Sequence, residues 1–107
     1  MHLISMIAID EGCERFPQYA KEIKLFAKTI AKAYCPTPEA LREFYPSLDN
    51  FKYLDKHYVV NIANNNIRVI ALIFFESQKF YIRHIFNHTE YDRFTDRHRT
   101  KGKKSWL

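Results

Sequence analysis

An unbroken apolar run near the middle of the chain constrains the fold more than any other feature. Residues 69–75 read Val-Ile-Ala-Leu-Ile-Phe-Phe, so both faces of a strand formed there would be apolar. Asn-rich residues 64–66 and polar residues 76–78 separate this run from two further strand-like segments. Because such short links join antiparallel neighbours, the pattern predicts a β-meander whose middle strand is covered on both faces. The predicted strands are residues 57–62, 67–75 and 80–86.

Helices are predicted before the meander. Between residues 18 and 35, apolar residues recur at helical spacing and lysines occupy the opposite face, which either stays in solvent or contacts RNA or a partner. The apolar positions are Tyr19, Ile23, Phe26, Ala27, Ile30 and Tyr34, and the lysines are Lys21, Lys24, Lys28 and Lys32.

Weaker signals frame this helix. Residues 2–4 are expected to form a short edge strand, followed by a helical turn or two that ends near Arg15, before Phe16-Pro17. Thr37, with a proline and a carboxylate after it, predicts the N-cap of a short helix that stops near Pro46. Residues 47–56 are expected to be irregular.

Length and patterning together predict a single domain over residues 1–107. Its class is α+β, with N-terminal helices packed on an antiparallel meander and a short C-terminal helix after it. The tail from about residue 97 onward is rich in Lys and Arg and is expected to be too charged to pack.

Composition narrows the environment and the partners. Seventeen Lys and Arg against twelve Asp and Glu give a formal charge of +5, which favours nucleic acid or an acidic protein surface. Cys13 and Cys35 form no CxxC pair, so free thiols in a reducing cytoplasm are the simplest expectation. The N-terminus lacks the pattern of a signal peptide, and no apolar run approaches the roughly 18 residues of a membrane helix.

The last strand runs directly into a cluster of titratable groups. Strict alternation would place Tyr81, Arg83 and Ile85 on one face and Phe80, Ile82, His84 and Phe86 on the other. Asn87 can then cap a helix in which His88, Tyr91 and Asp92 share one face, and Arg83 lies near the strand end.

This cluster has two interpretations. RNA cleavage through attack by the ribose 2′-hydroxyl needs a base, a cation for the phosphate and an acid, and His, Arg and Tyr can fill those roles. A His and a Tyr at a strand–helix junction can equally well cap or pack. A metal site using His84 and His88 is disfavoured, because a strand–helix break separates them and no third ligand has suitable spacing.

Several segments together resemble one family over nearly the whole chain. They are Phe-Tyr-Pro-Ser-Leu-Asp-Asn-Phe-Lys-Tyr-Leu-Asp-Lys-His-Tyr-Val from Phe44, Asn-Ile from Asn61 leading to Ile-Arg-Val-Ile from Ile67, Phe-Phe-Glu-Ser-Gln-Lys from Phe74, Tyr-Ile-Arg from Tyr81 and His-Thr-Glu-Tyr-Asp from His88. In this combination the chain resembles the HigB toxins, ribosome-dependent mRNA interferases of the RelE-like superfamily.

The resemblance implies a small toxin that enters the ribosomal A site of the 30S subunit and cuts the mRNA there without a metal or other cofactor. It implies a HigA-type helix-turn-helix antitoxin as partner, with operator DNA contacted only through that antitoxin. The cysteines and the lack of a membrane-length apolar run lead us to expect a cytoplasmic location without membrane contact. The family's strand arginine falls on Arg68, and its terminal motif falls on His88, Glu90, Tyr91 and Asp92. Asn87 stands where threonine is frequent, and Asn64-Asn65 replaces a glycine-containing turn.

The candidate roles follow from side-chain chemistry. Arg68 and Arg83 would hold the scissile phosphate, and His88 and Tyr91 would move protons, with base and acid left unassigned. The alternative for Arg68 is an ion pair with Asp92 or Glu90. The candidate RNA-binding set is Lys52, Lys56, His57, Lys79 and Asp92, and the tyrosines that would stack on a base or pack are Tyr53, Tyr58 and Tyr81.

Two other function classes compete with the nuclease. A basic α+β module that only binds RNA or an acidic protein would explain the charge and the aromatic residues, but it leaves Arg68, His88 and Tyr91 without a role. A DNA-binding repressor is weakened because no helix-turn-helix pattern appears in the sequence.

Overall fold

The computed structural model describes residues 1–104, with side chains described through residue 99. In this part of the chain, four helices and five strands follow one another, and a short 3-10 helix, Pro17–Tyr19, joins the first two helices. The elements are β1 (His2–Ile4), α1 (Met6–Arg15), α2 (Ala20–Lys32), α3 (Pro38–Phe44), β2 (Asp49–Asn50), β3 (His57–Ile62), β4 (Ile67–Phe74), β5 (Lys79–Asn87) and α4 (His88–Lys104).

The strands form one sheet in the order β1-β5-β4-β3-β2. The predicted antiparallel meander of β3, β4 and β5 is confirmed, as are the α+β class and the short edge strand β1. However, β1 pairs in parallel with β5, so the sheet is mixed. The segment expected to be irregular also contributes the short edge strand β2, in which Asp49 lies opposite Val59.

Helices cover both faces of the sheet. On one face, Ile23, Phe26 and Ile30 of α2 are buried in a core that includes Val69 and Phe80 of the sheet. Burial of each such side chain contributes roughly 1.5–3 kcal/mol to folding. On the other face, α4 contributes to a smaller cluster made of Phe51, Val59, Ile70 and Phe94. The prediction that the middle strand is covered on both sides is confirmed.

The boundaries of the N-terminal helices follow local chemistry. α2 ends at Lys32, and Ala33 is extended, with φ −77° and ψ 146°. The prediction that Tyr34 belongs to the apolar face was therefore wrong, and this side chain is 74% exposed. Thr37 caps α3 as predicted, because its hydroxyl accepts a hydrogen bond from the Ala40 N–H at 3.2 Å.

The links of the meander use left-handed backbone. Ala63, Asn64 and Asn65 have φ values of 53°, 55° and 69°, a conformation that Asn tolerates better than most residues. In the second link Gln78 has φ 57°, and its side-chain amide donates to the carbonyls of Cys35 and Phe75. The polar composition of both links thus serves their geometry.

A β-bulge in β5 corrects the predicted faces of that strand. Ile70 pairs with His84 but Ala71 pairs with Ile82, so Arg83 is an extra residue with no partner on β4. The extra residue reverses the alternation, and Ile85 joins Ile82 in the core beneath α1 and α2. His84 instead faces α4, contrary to the prediction that it shares a face with Ile82.

The C-terminal region also differs from expectation. The predicted short helix is α4, which runs to Lys104 and includes most of the segment expected to be an unpacked tail. His98 is half-buried, with its ring centroid 4.2 Å from that of Phe94 and 5.7 Å from that of Phe51. Helical periodicity places this residue on the apolar side of α4. The remaining tail residues, 105–107, lie outside the described residues.

Both cysteines are free thiols, Cys35 buried and Cys13 partly buried. Burial raises the pKa of the Cys35 thiol. Among residues 1–104, no helix combines the length and the apolar character needed to cross a membrane.

Candidate active site

A reciprocal cap fixes the junction between β5 and α4. The Asn87 side-chain oxygen accepts from the Glu90 N–H at 2.9 Å, and the Glu90 carboxylate accepts from the Asn87 N–H at 3.0 Å. This capping box confirms the predicted capping role of Asn87. It starts the helix at His88 and therefore places Tyr91 one turn later.

Arg15, at the end of α1, ties the helical layer to the same junction. Its guanidinium donates to the Ile85 carbonyl at 3.1 Å and forms an ion pair with Glu90. The Glu90 carboxylate thus has two functions, one in the cap and one in the ion pair. The junction that carries His88 and Tyr91 is held from two sides.

Arg68 reaches this junction from the neighbouring strand. In the antiparallel register Arg68 lies opposite Phe86, so the start of β4 lies beside the end of β5. The Arg68 guanidinium carbon lies 5.8 Å from the centre of the Tyr91 ring, within cation–π range. One of its nitrogens donates to the Asn65 carbonyl at 2.6 Å, which orients the group.

The ion-pair alternative for Arg68 was wrong for the described side chains. Glu90 pairs with Arg15, and Asp92 lies beside His88, with 3.7 Å between imidazole Nε2 and the nearer carboxylate oxygen. Both side chains of the His88–Asp92 pair are mostly exposed, which leaves the imidazole accessible to a ligand. This i, i+4 contact confirms the predicted shared helical face for His88 and Asp92, and Tyr91 lies one turn after His88 on the same helix.

Arg83 lies on the same strand as the junction but is not held against it. Its side chain is exposed at the bulge, next to His84. His84 lies opposite Ile70, which is two residues along β4 from Arg68, or about 7 Å in strand rise. Arg83 is therefore a neighbour of the Arg68 and Tyr91 pair, and no contact joins it to either residue.

His84 belongs to an aromatic cluster on the α4 side of the sheet. Its ring is stacked on Phe86 with a centroid distance of 4.9 Å, and it packs against Phe94 at the same distance. Burial, followed by the positive charge of Arg83, lowers the pKa of His84. Within residues 1–104, no group of three His, Cys, Asp or Glu is arranged to hold a metal ion.

A second basic group lies at the far end of α4. The Lys52 ammonium lies 5.2 Å from the centre of the Tyr53 ring, and Arg99 Nε donates to the Tyr53 hydroxyl at 3.2 Å. This hydrogen bond is the largest cause of a lowered pKa at Tyr53. From His88 to Arg99 the helix advances about 16 Å, so Arg99 lies about three turns along α4 from His88.

The other candidate RNA-binding residues lie elsewhere. Lys79 is paired with His2 and Phe74, six residues along β4 from Arg68, or about 20 Å. The Lys56 ammonium lies 5.3 Å from the ring centre of Phe74 at that same end. These lysines are therefore remote from Arg68 and Tyr91.

The remaining candidates are engaged in local contacts. The His57 ring nitrogen Nδ1 lies 2.7 Å from the Asp55 carbonyl. Tyr58 packs edge-on against Phe75, and Tyr81 packs edge-on against Phe74. Packing is thus the observed role of these two tyrosines.

Sequence reasoning missed two residues that organise this region. Arg15 is 75 positions from Glu90, so no local pattern announces their contact. If the charged tail had been predicted to be helical, spacing alone would have suggested Arg99 as a site residue. It lies eight residues after Tyr91 and therefore close to the same face of α4.

Comparison with known proteins places this geometry in context. Residues 19–94 match a family model described as HigB toxin, the RelE-like toxic component of a toxin-antitoxin system. The chain is 56% identical over 104 residues to the mRNA interferase toxin HigB of Escherichia coli K12, covering 97% of this chain and all of that protein. The mRNA interferase HigB of Shigella flexneri is equally similar. That of Escherichia coli O6:H1 is 41% identical over 95 residues, which cover 89% of this chain and 92% of the relative.

Proposed function

Because the chain belongs to the HigB family of RelE-like toxins, we propose that it cleaves mRNA at the end of the sheet where Arg68, His88 and Tyr91 meet. The protein is the toxic component of a toxin-antitoxin system and an mRNA interferase, hence an endoribonuclease. The reaction assigned to this site is attack of a ribose 2′-hydroxyl on the adjacent phosphodiester, without a metal. The attack forms a cyclic phosphate and expels the 5′-oxygen of the next nucleotide.

The observation that carries this assignment is the Arg68 guanidinium held 5.8 Å from the Tyr91 ring centre, one helical turn from His88. A guanidinium stays positively charged and can donate to two phosphate oxygens, so Arg68 binds the phosphate and stabilises its developing charge. Its bond to the Asn65 carbonyl holds the group in place before substrate arrives.

Proton transfer falls to His88 and Tyr91. An imidazole can act as base or acid near neutral pH, and the His88 imidazole lies 3.7 Å from a carboxylate oxygen of Asp92. The Tyr91 hydroxyl is the second group on the same helical face and can donate a proton to the leaving oxygen or position it. Both assignments of base and acid fit this arrangement.

Substrate contacts extend from the site along α4. Lys52, Tyr53 and Arg99 provide two positive charges and an aromatic ring for RNA phosphates and a base. Arg83 and Asp92 flank the reacting phosphate, whereas Lys56, His57 and Lys79 bind RNA backbone farther away. Sequence-independent contact of this kind requires only positive charge.

The setting of the reaction is the ribosome. A net charge of +5 suits binding among rRNA phosphates, and the toxin is proposed to cut mRNA in the A site of the 30S subunit during translation in the cytoplasm. A HigA-type helix-turn-helix antitoxin would neutralise it and would supply any contact with operator DNA.

A cell-free translation system with mapping of mRNA 5′ ends tests the assignment. The chain should generate new ends only on translated message, and both Arg68→Ala and His88→Ala should lower the cleavage rate about 10²-fold or more. Lys32→Ala and His2→Ala are the controls, because the first removes one positive charge and the second one imidazole, each from an exposed position outside the site.

Two results would count against the proposal. Equal cleavage by the Arg68→Ala and control variants would show that the chemistry lies elsewhere. Translation arrest without new 5′ ends would favour the alternative, a non-catalytic basic module that binds RNA or protein.

A further inference from the structure

An open groove of about 930 Å³ runs between β1, α1 and α2, in the helical layer on the opposite side of the sheet from α4. Its lining is largely apolar, although it opens to solvent. The lining residues that matter below are Met6, Leu25, Lys21, Lys24, Lys28 and Asp10.

The groove exposes large apolar side chains on both of its helical walls. Met6 of α1 is 52% exposed and Leu25 of α2 is 62% exposed, and Ile7 beside Met6 is 71% exposed. These residues differ from Ile23 and Phe26 of α2, which are buried beneath them. Contiguous exposed apolar surface with a polar rim is typical of a protein interaction site.

The charge on the rim of the groove limits what can bind. Lys21, Lys24 and Lys28 lie at i, i+3 and i+7 on α2, so they form one stripe along the groove beside Leu25. The opposite wall supplies one carboxylate, that of Asp10. A segment that combines apolar and acidic side chains complements both properties, and an amphipathic helix laid into the groove presents them in the required register.

Other occupants fit less well. In a two-fold dimer formed across the groove, the lysine stripes of both copies would approach each other, and each copy already carries a net charge of +5. RNA phosphates would pair with the lysines, but RNA offers no apolar side chains to pack against Met6 and Leu25.

We propose that this groove is the docking site for an apolar, acidic segment of the antitoxin that neutralises this toxin. The inference rests on the proposed function, since a toxin of a toxin-antitoxin system has such a partner. The groove lies across the sheet from Arg68 and Tyr91. Substitutions in it therefore separate antitoxin binding from catalysis.

Titration of the full-length toxin with its purified cognate antitoxin by calorimetry tests the proposal. Leu25→Asp and Lys24→Glu should each weaken binding by at least about tenfold, since each places a carboxylate against an acidic, apolar segment. Phe44→Asp, at a residue 52% exposed on α3, and Arg97→Glu, at an exposed residue of α4 across the sheet from the groove, should bind within about twofold of the parent. Both groove positions are exposed, so thermal unfolding should show all four variants folded.

Cleavage of translated mRNA, measured without antitoxin, completes the test. The groove variants should cleave as the parent does, and should remain active at antitoxin concentrations that silence the parent. If the parent itself fails to cleave mRNA, the proposed function fails, while the calorimetry still reports on the groove.

Three outcomes would overturn the docking proposal. The first is unchanged antitoxin affinity in both groove variants. The second is a dimer of the parent chain, seen by sedimentation, that Leu25→Asp dissociates. The third is flotation of the parent with phosphatidylglycerol vesicles that is lost in Lys24→Glu while antitoxin binding persists.

Discussion

The contribution of Glu90 to stability can be divided into two parts, because its carboxylate makes two separable interactions. Glu90→Gln keeps an oxygen for the Asn87 N–H but removes the charge that pairs with Arg15 and that lies at the N-terminus of α4. Arg15 and Glu90 are 45% and 30% exposed, so the loss should be modest, about 0.5–1 kcal/mol in the free energy of unfolding.

Glu90→Ala removes the cap as well. The Asn87 N–H then loses its acceptor, which adds about 0.5–1.5 kcal/mol, so the total loss should be about 1–2.5 kcal/mol. At roughly 4–8 °C per kcal/mol for a domain of this size, the Ala variant should melt clearly below the Gln variant.

Urea unfolding followed by circular dichroism measures these differences, and a double-mutant cycle with Arg15→Ala isolates the ion pair. The coupling energy in that cycle should be about 0.2–1 kcal/mol, because both side chains are partly exposed. If Glu90→Gln proves as costly as Glu90→Ala, the capping bond contributes nothing and the reasoning is wrong. A coupling energy near zero would show that the ion pair does not stabilise the fold.

Two further predictions concern packing and pH. Gly12→Ala should destabilise the fold by about 1–3 kcal/mol, because its Cβ would lie 2.9 Å from Ile85 Cδ1, and adding Ile85→Val should restore part of that loss in urea unfolding. An unimpaired Gly12→Ala protein would show that α1 shifts freely on β5. The lowered pKa of His84 means that the unfolded chain takes up its proton first as pH falls below about 6.5, so stability present above that pH is lost as pH falls through the folded value. His84→Phe should therefore lose less stability than the parent between about pH 7 and pH 5, and an equal loss in both proteins would contradict this.

Local signals predicted the elements of this fold well. The apolar run of β4, the helical spacing of α2 and the Thr37 and Asn87 caps all depend on residues a few positions apart. Such signals are complete within one segment of sequence. The α+β class and the meander followed from them.

The predictions differed from the structure where contacts between residues distant in sequence determine the conformation. The bulge at Arg83 depends on the register between β4 and β5, which alternation in one strand cannot reveal. The C-terminal segment was read by its charge, whereas His98 packs on Phe51, which lies 47 residues earlier. Tyr34 has helical spacing, but α2 ends two residues before it.

The candidate site shows the same division. The common face of His88, Tyr91 and Asp92 was predicted from spacing alone, and the structure shows the contact between His88 and Asp92. The approach of Arg68 to Tyr91 depends on β4 and β5 being antiparallel neighbours, and its position was taken from the family resemblance. Lys79 was predicted from charge to bind RNA, and strand direction places it at the other end of the sheet from Arg68, where that prediction stays open to test.

The parallel pairing of β1 with β5 has a consequence for how the chain acquires its shape during synthesis. Residues 2–4 leave the ribosome first, but their hydrogen-bonding partners are residues 79–81. Closing a loop of that length costs conformational entropy, which is offset only by contacts that form once β5 has been made. The β1 edge of the sheet therefore forms late. Nascent chains that end before β5 lack both this edge and the helix that carries His88 and Tyr91. With the chemistry on His88 and Tyr91, as proposed, a nascent chain gains nuclease activity only once its synthesis is almost complete.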